Sequence, residues 1–276
     1  MKYNKVKETE RTYGYLWKKE NTSPLKEWHF NHMQEVIKEP IVRGSIGIEI
    51  GSGCGYDTYI IAKNNSSVMM VSVDISDGVK QTKALSVELK NVKVVKCSAL
   101  DVPFKDKTFD FAYSFGVLHH TDNPQKGLLE IAKILKKDSP VFLYLYENHS
   151  ENFIKSLAIK LISNLRVVTI RIPSKLLYTL ACILSPLVFL SFTVPSKVLR
   201  RFKIKQHYAE NMPFNFGKGL FSLRGDLYDR FGAPIEHRFS RQEVYDLFMN
   251  CGFYNISITR LKNTAGWVVW GYKKQC

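Results

Sequence analysis

Cysteine is scarce in this chain of 276 residues, and none of its five cysteines forms a Cys-x-x-Cys pair. An odd, scattered set predicts free thiols in a reducing compartment and argues against a zinc site. We see no other cluster of metal-ligand residues and expect no metal. The first residues also lack the apolar core of a secretory signal, which predicts a cytoplasmic protein.

Acidic residues are missing from residues 152–209, although the whole chain contains 25 of them. This span carries ten basic residues against a formal net charge of +15 for the chain. They are Lys155, Lys160, Arg166, Arg171, Lys175, Lys197, Arg200, Arg201, Lys203 and Lys205. The segment is rich in leucine and isoleucine rather than in the polar residues expected of an RNA surface, which disfavours nucleic acid as the partner.

Short apolar runs alternate with helical patterns from residue 45 to residue 150. The runs that we interpret as strands are residues 45–50, 68–75, 92–97, 109–120 and 140–147. This alternation predicts an α/β fold with a doubly wound, mostly parallel, Rossmann-like sheet. Its ligand crevice is expected at the carboxyl ends of the strands.

The strand and helix alternation stops at residue 150 and resumes near residue 239. There Ser240 and Glu243 form the pattern of a capping box at a helix start, and two further strands follow as an antiparallel hairpin that makes the sheet seven-stranded. We therefore predict four parts. They are an N-terminal helical lid over 1–44, a cofactor-binding core over 45–150, an apolar and basic helical insertion over 151–238, and a helix with hairpin over 239–276.

The stretch GIEIGSGCGYDT, residues 47–58, sets three glycines on alternate positions between a strand pattern and a helical pattern. Glycine lets the backbone turn sharply or lie against a ligand, and the start of a helix presents free N–H groups there. Dinucleotide-binding enzymes need a third glycine at the position of Tyr56, so their fingerprint is absent.

The spacing Glu49-x-Gly51-x-Gly53-x-Gly55 resembles the first motif of the class I S-adenosylmethionine-dependent methyltransferases. Residues 97–124 also resemble the third and fourth strand region in the small-molecule branch of that family. The resemblance covers roughly residues 45–150 and, more weakly, 236–273. It implies S-adenosylmethionine as cofactor and an in-line displacement, in which an O, N or C nucleophile of the acceptor attacks the methyl group.

The resemblance assigns nine residues to cofactor binding. They are Glu49, Gly51, Gly53, Gly55, Asp74, Ile75, Ser98, Ala99 and Phe115. The glycines and Phe115 would face the methionine part, with Glu49 orienting the loop and holding the ammonium through water. Asp74, at the end of the second strand, would accept the ribose hydroxyls, and Ile75 would pack on the adenine. Ser98 stands where the family usually has an acid, which predicts a weaker hydrogen bond to the adenine.

Candidates for the acceptor site lie outside these motifs. If the acceptor is a hydroxyl, a base assists the reaction, and His120, His237 and Glu147 are candidates for it. Tyr13 and Trp17 suggest a lid over the cofactor, although packing under the sheet would explain them equally well. Tyr228 lies in a region that reaches the acceptor site in related enzymes, although a solvated connector would explain this region nearly as well.

Residues 176–196 form an uncharged run of 21 residues, which is long enough to span a bilayer. Strands of one sheet precede and follow it, so a single crossing would separate them, and Pro186 interrupts the run. We therefore expect either a helical cap over the site or a patch, within residues 152–205, that rests peripherally on an anionic membrane surface. The predicted function is methyl transfer to a small or lipid-linked acceptor. An RNA-modifying methyltransferase and a non-catalytic, membrane-associated relative remain alternatives.

Overall fold

A seven-stranded sheet forms the centre of the computed structural model, which describes residues 4–20, 29–37, 40–202, 208–209, 212–260 and 266–274. Its strand order is β3-β2-β1-β4-β5-β7-β6, with β1 to β5 parallel and β7 antiparallel to both of its neighbours. The strands are β1 Ile46–Ile50, β2 Met69–Asp74, β3 Val92–Lys96, β4 Phe111–Phe115, β5 Pro140–Tyr146, β6 Phe253–Arg260 and β7 Gly266–Lys273. This confirms the predicted mostly parallel α/β fold with a C-terminal antiparallel hairpin.

Helices precede the sheet, connect its strands and fill the inserted segment. They are α1 Lys5–Lys19, α2 His29–Val36, α3 Tyr56–Asn64, α4 Val79–Leu85, α5 Pro124–Ile134, α6 Phe153–Thr169, α7 Ser174–Val188, α8 Val194–Leu199, α9 Arg224–Gly232 and α10 Arg241–Asn250. A π-helical turn, Phe189–Thr193, joins α7 to α8. The predicted capping box is confirmed, because Ser240 Oγ accepts the Glu243 N–H and the Glu243 carboxylate accepts the Ser240 N–H.

The side-chain alternation of the strands supplies a core on each face of the sheet. In β4, Phe111 and Tyr113 point into the layer that holds α2 and α3, and Ala112 points into the layer that holds α5 and α10. Every one of these three side chains is fully buried. Period-two burial on both faces is what a central strand of a two-sided parallel sheet requires.

The fourth strand is shorter than the sequence pattern predicts. It ends at Phe115, and Gly116 then takes a positive φ of 76° before a 3₁₀ turn at Leu118–His120. The prediction of a strand through residue 120 was wrong, because a left-handed residue cannot continue the extended backbone. The turn carries the two histidines out of the sheet and over its carboxyl edge.

The inserted segment leaves and rejoins the sheet at one place. The Asn148 N–H donates to Phe239 O at 3.0 Å, and the Phe239 N–H donates to Tyr146 O at 2.9 Å. Between these points, α6 and α7 both pack against α9. The helix Ser174–Leu199 is long and apolar enough to cross a membrane by length and composition, and 22 % of its most apolar stretch is buried in the protein.

Candidate active site

The glycine loop after β1 turns the chain tightly against the end of β2. The N–H groups of Gly51 and Ser52 both donate to Val73 O, at 2.7 and 2.9 Å. Gly51 has a φ of 76°, and a side chain on it would collide with Val117. Only glycine fits there, and the loop therefore presents bare backbone to the space above the sheet.

Asp74 ties the end of β2 to this loop. One of its carboxylate oxygens accepts the Gly53 N–H at 2.8 Å, and the other accepts the Ser76 N–H at 2.7 Å. Asp74 lies in the lining of the large cavity described below, in the position predicted for the residue that holds a ribose.

Glu49 is a buried acid at the base of the same loop. The Thr58 hydroxyl donates to its carboxylate, and Asp57 lies close enough to repel a second charge. Burial and the Asp57 charge raise the pKa of Glu49 to about 8. Glu49 lines the cavity, and a neutral acid there is poised to ionise when a cation binds next to it.

The remaining predicted cofactor residues follow the next two strand ends. Ile75, Ser98, Ala99 and Phe115 all line the cavity. Ser98 Oγ accepts the Leu100 N–H at 3.1 Å, so its hydroxyl proton stays free to donate. The Phe115 ring is stacked at 4.1 Å on His29 and at 4.3 Å on Tyr144, which sets it as a flat wall. Beyond it, the side of Gly116 that a Cβ would occupy is open space.

Helix α1 covers the glycine loop from above. The indole of Trp17 lies against Gly53 and Gly78, so closely that a Cβ at Gly53 would overlap it. Tyr13, one turn earlier, stacks at 6.2 Å on Trp17, and its hydroxyl donates to Asp229 at 2.5 Å. Both residues line the cavity, in the position of a lid.

Four side chains from four different elements meet under this lid. The Asp229 carboxylate in α9 accepts from the hydroxyl of Tyr13 in α1 and, at 3.0 Å, from that of Tyr146 in β5. His120 Nε2 lies 4.0 Å from the same carboxylate. Burial and the Asp229 charge raise the pKa of both phenols, so both hydroxyls stay protonated and donate. We call these four residues the Asp229 cluster.

The ring of His120 has a defined orientation. Its Nδ1 lies 2.7 Å from Ile235 O, and because a carbonyl only accepts, Nδ1 carries the proton. Nε2 is thereby the basic nitrogen, and it faces the cavity side of the cluster. The neighbouring His119 is fully buried, outside the cavity lining, and burial lowers the pKa of its ring.

One cavity of about 630 Å³ joins the cofactor residues to the Asp229 cluster. Its floor is the carboxyl edge of β1, β2 and β4, and its roof is formed by α1, α6, α9 and residues 212–216. The roof wall is mostly apolar, with Ala158, Ile159 and Ile162 from α6. Charged groups line the far end, where Arg238 and Arg166 hold Glu236 at 2.7 and 2.8 Å.

Two of the three predicted bases do not lie in this cavity. His237 borders a separate shallow depression, and its N–H donates to His119 O at 2.8 Å. Glu147 is buried under Arg260, which donates to it at 2.7 Å, and Arg260 and His149 lower the pKa of its carboxyl. The chain folds the two side chains away from this cavity, and a role as base for either of them stays a prediction.

Tyr228 also lies outside the lining of this cavity. It is fully buried behind the lid, among Leu16, Leu177 and Leu227, and its hydroxyl donates to Thr12 O at 3.3 Å. It therefore supports α1 structurally and does not line the cavity. Asp229, the residue directly after Tyr228, lines the cavity instead.

Sequence reasoning missed Asp229 and Tyr146 as members of the site. Asp229 directly follows Tyr228 in the sequence, and Tyr146 is the last of seven apolar or aromatic residues in the fifth strand pattern. A signal existed for Tyr146, because the crevice lies at strand carboxyl ends. In the described part of the chain, no group of three or more His, Cys, Asp or Glu side chains is arranged to hold a metal ion.

The fold and the site together define a Rossmann-like α/β domain whose cofactor site lies at the carboxyl edge of the sheet. Residues 48–143 match the family model described as a methyltransferase domain. This match agrees with the resemblance to the class I S-adenosylmethionine-dependent methyltransferases, and S-adenosylmethionine is the cofactor that a methyltransferase domain of this kind implies. The residues present fit that cofactor, since bare loop backbone, a buried ionisable acid and a strand-end carboxylate line one cavity.

Relatives of known name cover only parts of the chain. A rice (Oryza sativa subsp. japonica) 2-methyl-6-phytyl-1,4-hydroquinone methyltransferase is 28 % identical over 32 % of this chain and 27 % of its own length. A tRNA (carboxymethyluridine(34)-5-O)-methyltransferase from Saccharomyces cerevisiae is 30 % identical over 34 % of this chain and 32 % of its own. The chain spans about half or less of the length of two uncharacterised Methanocaldococcus jannaschii proteins that it matches at 32 % identity.

A solved structure extends the likeness to nearly the whole fold. A methyltransferase structure from Thermotoga maritima superposes on 96 % of this chain and 99 % of its own with a TM-score of 0.55. The sequence identity is 15 %, so the likeness concerns the fold alone.

Proposed function

We propose that this protein transfers a methyl group from S-adenosylmethionine to a small or lipid-linked acceptor held beneath α1 and the inserted segment. One observation carries the proposal: a single cavity connects the predicted cofactor residues with the Asp229 cluster. An acceptor in the far part of that cavity would lie between the cofactor edge of the sheet and an oriented base. Alignment of this kind contributes about 7–11 kcal/mol to rate acceleration when the reacting atoms are held close.

The cofactor supplies an electrophilic methyl group on a sulfonium. The chain supplies its binding positions: the loop backbone from Gly51 to Gly55, the carboxylate of Asp74, the acid Glu49 and the ring of Phe115. The indole of Trp17 excludes water from the loop, because it lies directly on Gly53.

The proton of the acceptor goes to His120 Nε2 in this proposal. The Ile235 carbonyl accepts from Nδ1–H, so in the neutral ring Nε2 is the nitrogen with a lone pair. The Asp229 carboxylate at 4.0 Å would stabilise the positive charge that appears when Nε2 takes a proton. The phenols of Tyr13 and Tyr146 orient that carboxylate, and their own raised pKa values keep them out of the proton transfer.

The cavity favours an acceptor with a polar head and an apolar body. Its far end carries charged groups such as Arg238, whereas its outer wall carries Ile159, Ile162 and Phe214. The name of the rice relative describes a hydroquinone with a phytyl chain, a molecule of this amphiphilic kind. That relative supports a lipid-linked acceptor, and the wall of α6 supports it independently.

The yeast relative keeps RNA modification as the second candidate, since its name describes a tRNA methyltransferase. The net charge of +15 is the feature of this chain that agrees with it. The third candidate is a protein that binds S-adenosylmethionine without catalysing methyl transfer.

Two measurements separate these functions. Calorimetric titration with S-adenosylmethionine should detect binding, and Asp74→Ala should weaken it by about 10- to 100-fold, the usual loss for a hydrogen bond to a charged group. The control is Asp101→Ala, which removes an exposed acid of the same sheet edge. Unchanged affinity in Asp74→Ala would contradict the site.

The second measurement follows labelled methyl groups from the cofactor into a cell extract divided into organic, RNA and aqueous small-molecule fractions. Label in the organic or small-molecule fraction is the expected result. Label in RNA would establish the second candidate, and cofactor binding without any transfer would establish the third.

A further inference from the structure

The outer surfaces of α6 and α7 carry apolar stripes. Each stripe repeats every three or four residues, which places its members on one side of the helix. Their exposed fractions range from 39 % to 66 %. The most regular members are Leu157, Leu161 and Leu165 on α6, and Leu180, Ile183 and Leu187 on α7. An exposed apolar stripe of this length on a helix indicates an interaction site rather than an ordinary solvated face.

The inner sides of the same helices are fixed to the protein. In α7, Leu177 and Ala181 are buried in one cluster with Leu227 of α9, and the Ser185 hydroxyl donates to Leu220 O at 2.9 Å. In α6, the buried Arg166 donates to Glu236 at 2.8 Å. Either helix would lose these contacts if it entered a bilayer as a spanning segment, whereas its exposed side can meet a partner without losing them.

The charges within the segment that carries the stripes are of one sign. Exposed cations flank them at Lys160, Arg171, Lys175, Lys197 and Arg201, and no acidic residue occurs between residues 152 and 209. An apolar stripe bordered by cations is the arrangement that rests in the interface of an anionic leaflet. Two copies of this surface would repel each other, and aliphatic stripes offer no stacking platform for RNA bases.

We propose that the outer surface of α6 and α7 docks in the plane of an anionic lipid leaflet, and that the acceptor enters the cavity from this leaflet. The docking stands on the surface alone, whereas the entry of the acceptor rests on the proposed function. Helix α6 links the two, because it presents Leu157 and Leu161 outward and Ala158 and Ile162 to the cavity. A single helix thus separates the lipid-facing side from the site.

The test is sedimentation of the full chain with vesicles of pure phosphatidylglycerol or of pure phosphatidylcholine. We expect binding to phosphatidylglycerol, weakened by salt, and little binding to phosphatidylcholine. The double variant Ile183→Glu/Leu187→Glu should lose affinity for phosphatidylglycerol by at least about tenfold per side chain. The double variant Arg171→Gln/Lys175→Gln should lose about fivefold per charge removed, or about 25-fold for the pair.

The matched control is Val87→Glu/Leu129→Glu, which places the same two charges on exposed apolar positions outside the inserted segment. It should pellet as the unmodified chain does. Equal pelleting by the stripe variant and the control would overturn the proposal, and so would failure of the unmodified chain to bind phosphatidylglycerol. If the unmodified chain does not bind vesicles but self-associates, and the stripe variant does not self-associate, the surface is an interface between two copies and the proposal is overturned. If the chain does not bind vesicles but binds RNA, and the stripe variant still binds RNA, the proposal is overturned as well.

Cofactor titration of the same proteins separates this proposal from the function it extends. A chain that binds vesicles but not S-adenosylmethionine would refute the proposed function and leave the docking surface in place. A chain that binds S-adenosylmethionine but not vesicles would refute the docking surface and leave the proposed function in place. The entry of the acceptor from the leaflet is tested with a lipid extract incorporated into vesicles. The unmodified chain should transfer the methyl label to this extract faster than the stripe variant does.

Discussion

Glu49 and Asp74 are two acids at neighbouring strand ends with different surroundings. Both oxygens of Asp74 accept backbone N–H groups, which compensates its charge. Glu49 is buried beside Asp57, and the Thr58 hydroxyl and backbone N–H donate to its carboxylate. Burial beside a second acid favours the neutral form of Glu49, so this acid is suited to change its charge when a cationic ligand group arrives.

The raised pKa of Glu49 predicts proton release on cofactor binding. Below pH 8 the free protein holds a proton there, and a cationic ligand group favours the carboxylate, so binding expels the proton. Affinity should therefore rise with pH, by at most about tenfold per unit, and level off above about pH 8. Without ligand the sign is opposite: because the folded pKa exceeds the ordinary value of 4.5, stability falls as the pH rises from 4.5 to 8.

The measurement is calorimetry at pH 7 in two buffers of different ionisation enthalpy. The unmodified chain should release a fraction approaching one proton, and Glu49→Gln should release none. Identical apparent enthalpies in both buffers for the unmodified chain would refute this role.

His120 and His237 offer a matched pair for the catalytic base. His120→Asn removes the nitrogen that faces Asp229, so kcat should fall by about 100-fold or more, the usual contribution of a general base. His237→Asn changes a side chain outside the cavity and should leave kcat within about twofold. Steady-state kinetics with the acceptor found by labelling is the assay. Equal losses in both variants would remove His120 from the mechanism, as would a loss confined to cofactor affinity.

At the scale of elements, α1 is a lid tied down at its far end. Glu20, directly after the helix, accepts from Arg224 at 2.8 Å and from the Tyr178 hydroxyl at 2.6 Å. These contacts join α1 to α9 and α7. Glu20 therefore connects the helix that covers the glycine loop to one of the two helices that carry an apolar stripe. Sequence alone left Trp17 between a lid and a core role, because an aromatic pattern does not reveal its partner.

The position of Trp17 predicts a fluorescence signal. Its indole lies on the loop at Gly53, so cofactor binding must change its surroundings. Emission should therefore change on titration with S-adenosylmethionine in the unmodified chain and in Trp270→Phe, whose indole packs against the core on the other side. The change should be lost in Trp17→Phe. An unaltered response in that variant would show that the lid does not cover the cofactor.

At the scale of the whole molecule, the inserted segment is a roof whose two ends are hydrogen-bonded to each other at the rim of the sheet. The site is therefore shared between the sheet, the N-terminal helix and the roof. A ligand that fills the cavity should stabilise all three together, because it binds only the assembled state.

Thermal unfolding checks this expectation. S-adenosylmethionine at about 100 times its Kd should add about 2.7 kcal/mol, which for a chain of this size is a rise in Tm of roughly 5–10 °C. NADH should give no rise, because Tyr56 replaces the glycine of a dinucleotide fingerprint. A rise with NADH alone would overturn the assignment of the cofactor.

By itself the sequence determined the sheet, the glycine loop and the strand-end acids, since these depend on residues close together in the chain and on strand periodicity. The capping box at Ser240 was readable for the same reason. Only the tertiary structure decided which polar side chains form the acceptor site. Tyr13, His120, Tyr146 and Asp229 come from four elements, and their meeting depends on how α1 and α9 pack over the sheet, which no local pattern encodes.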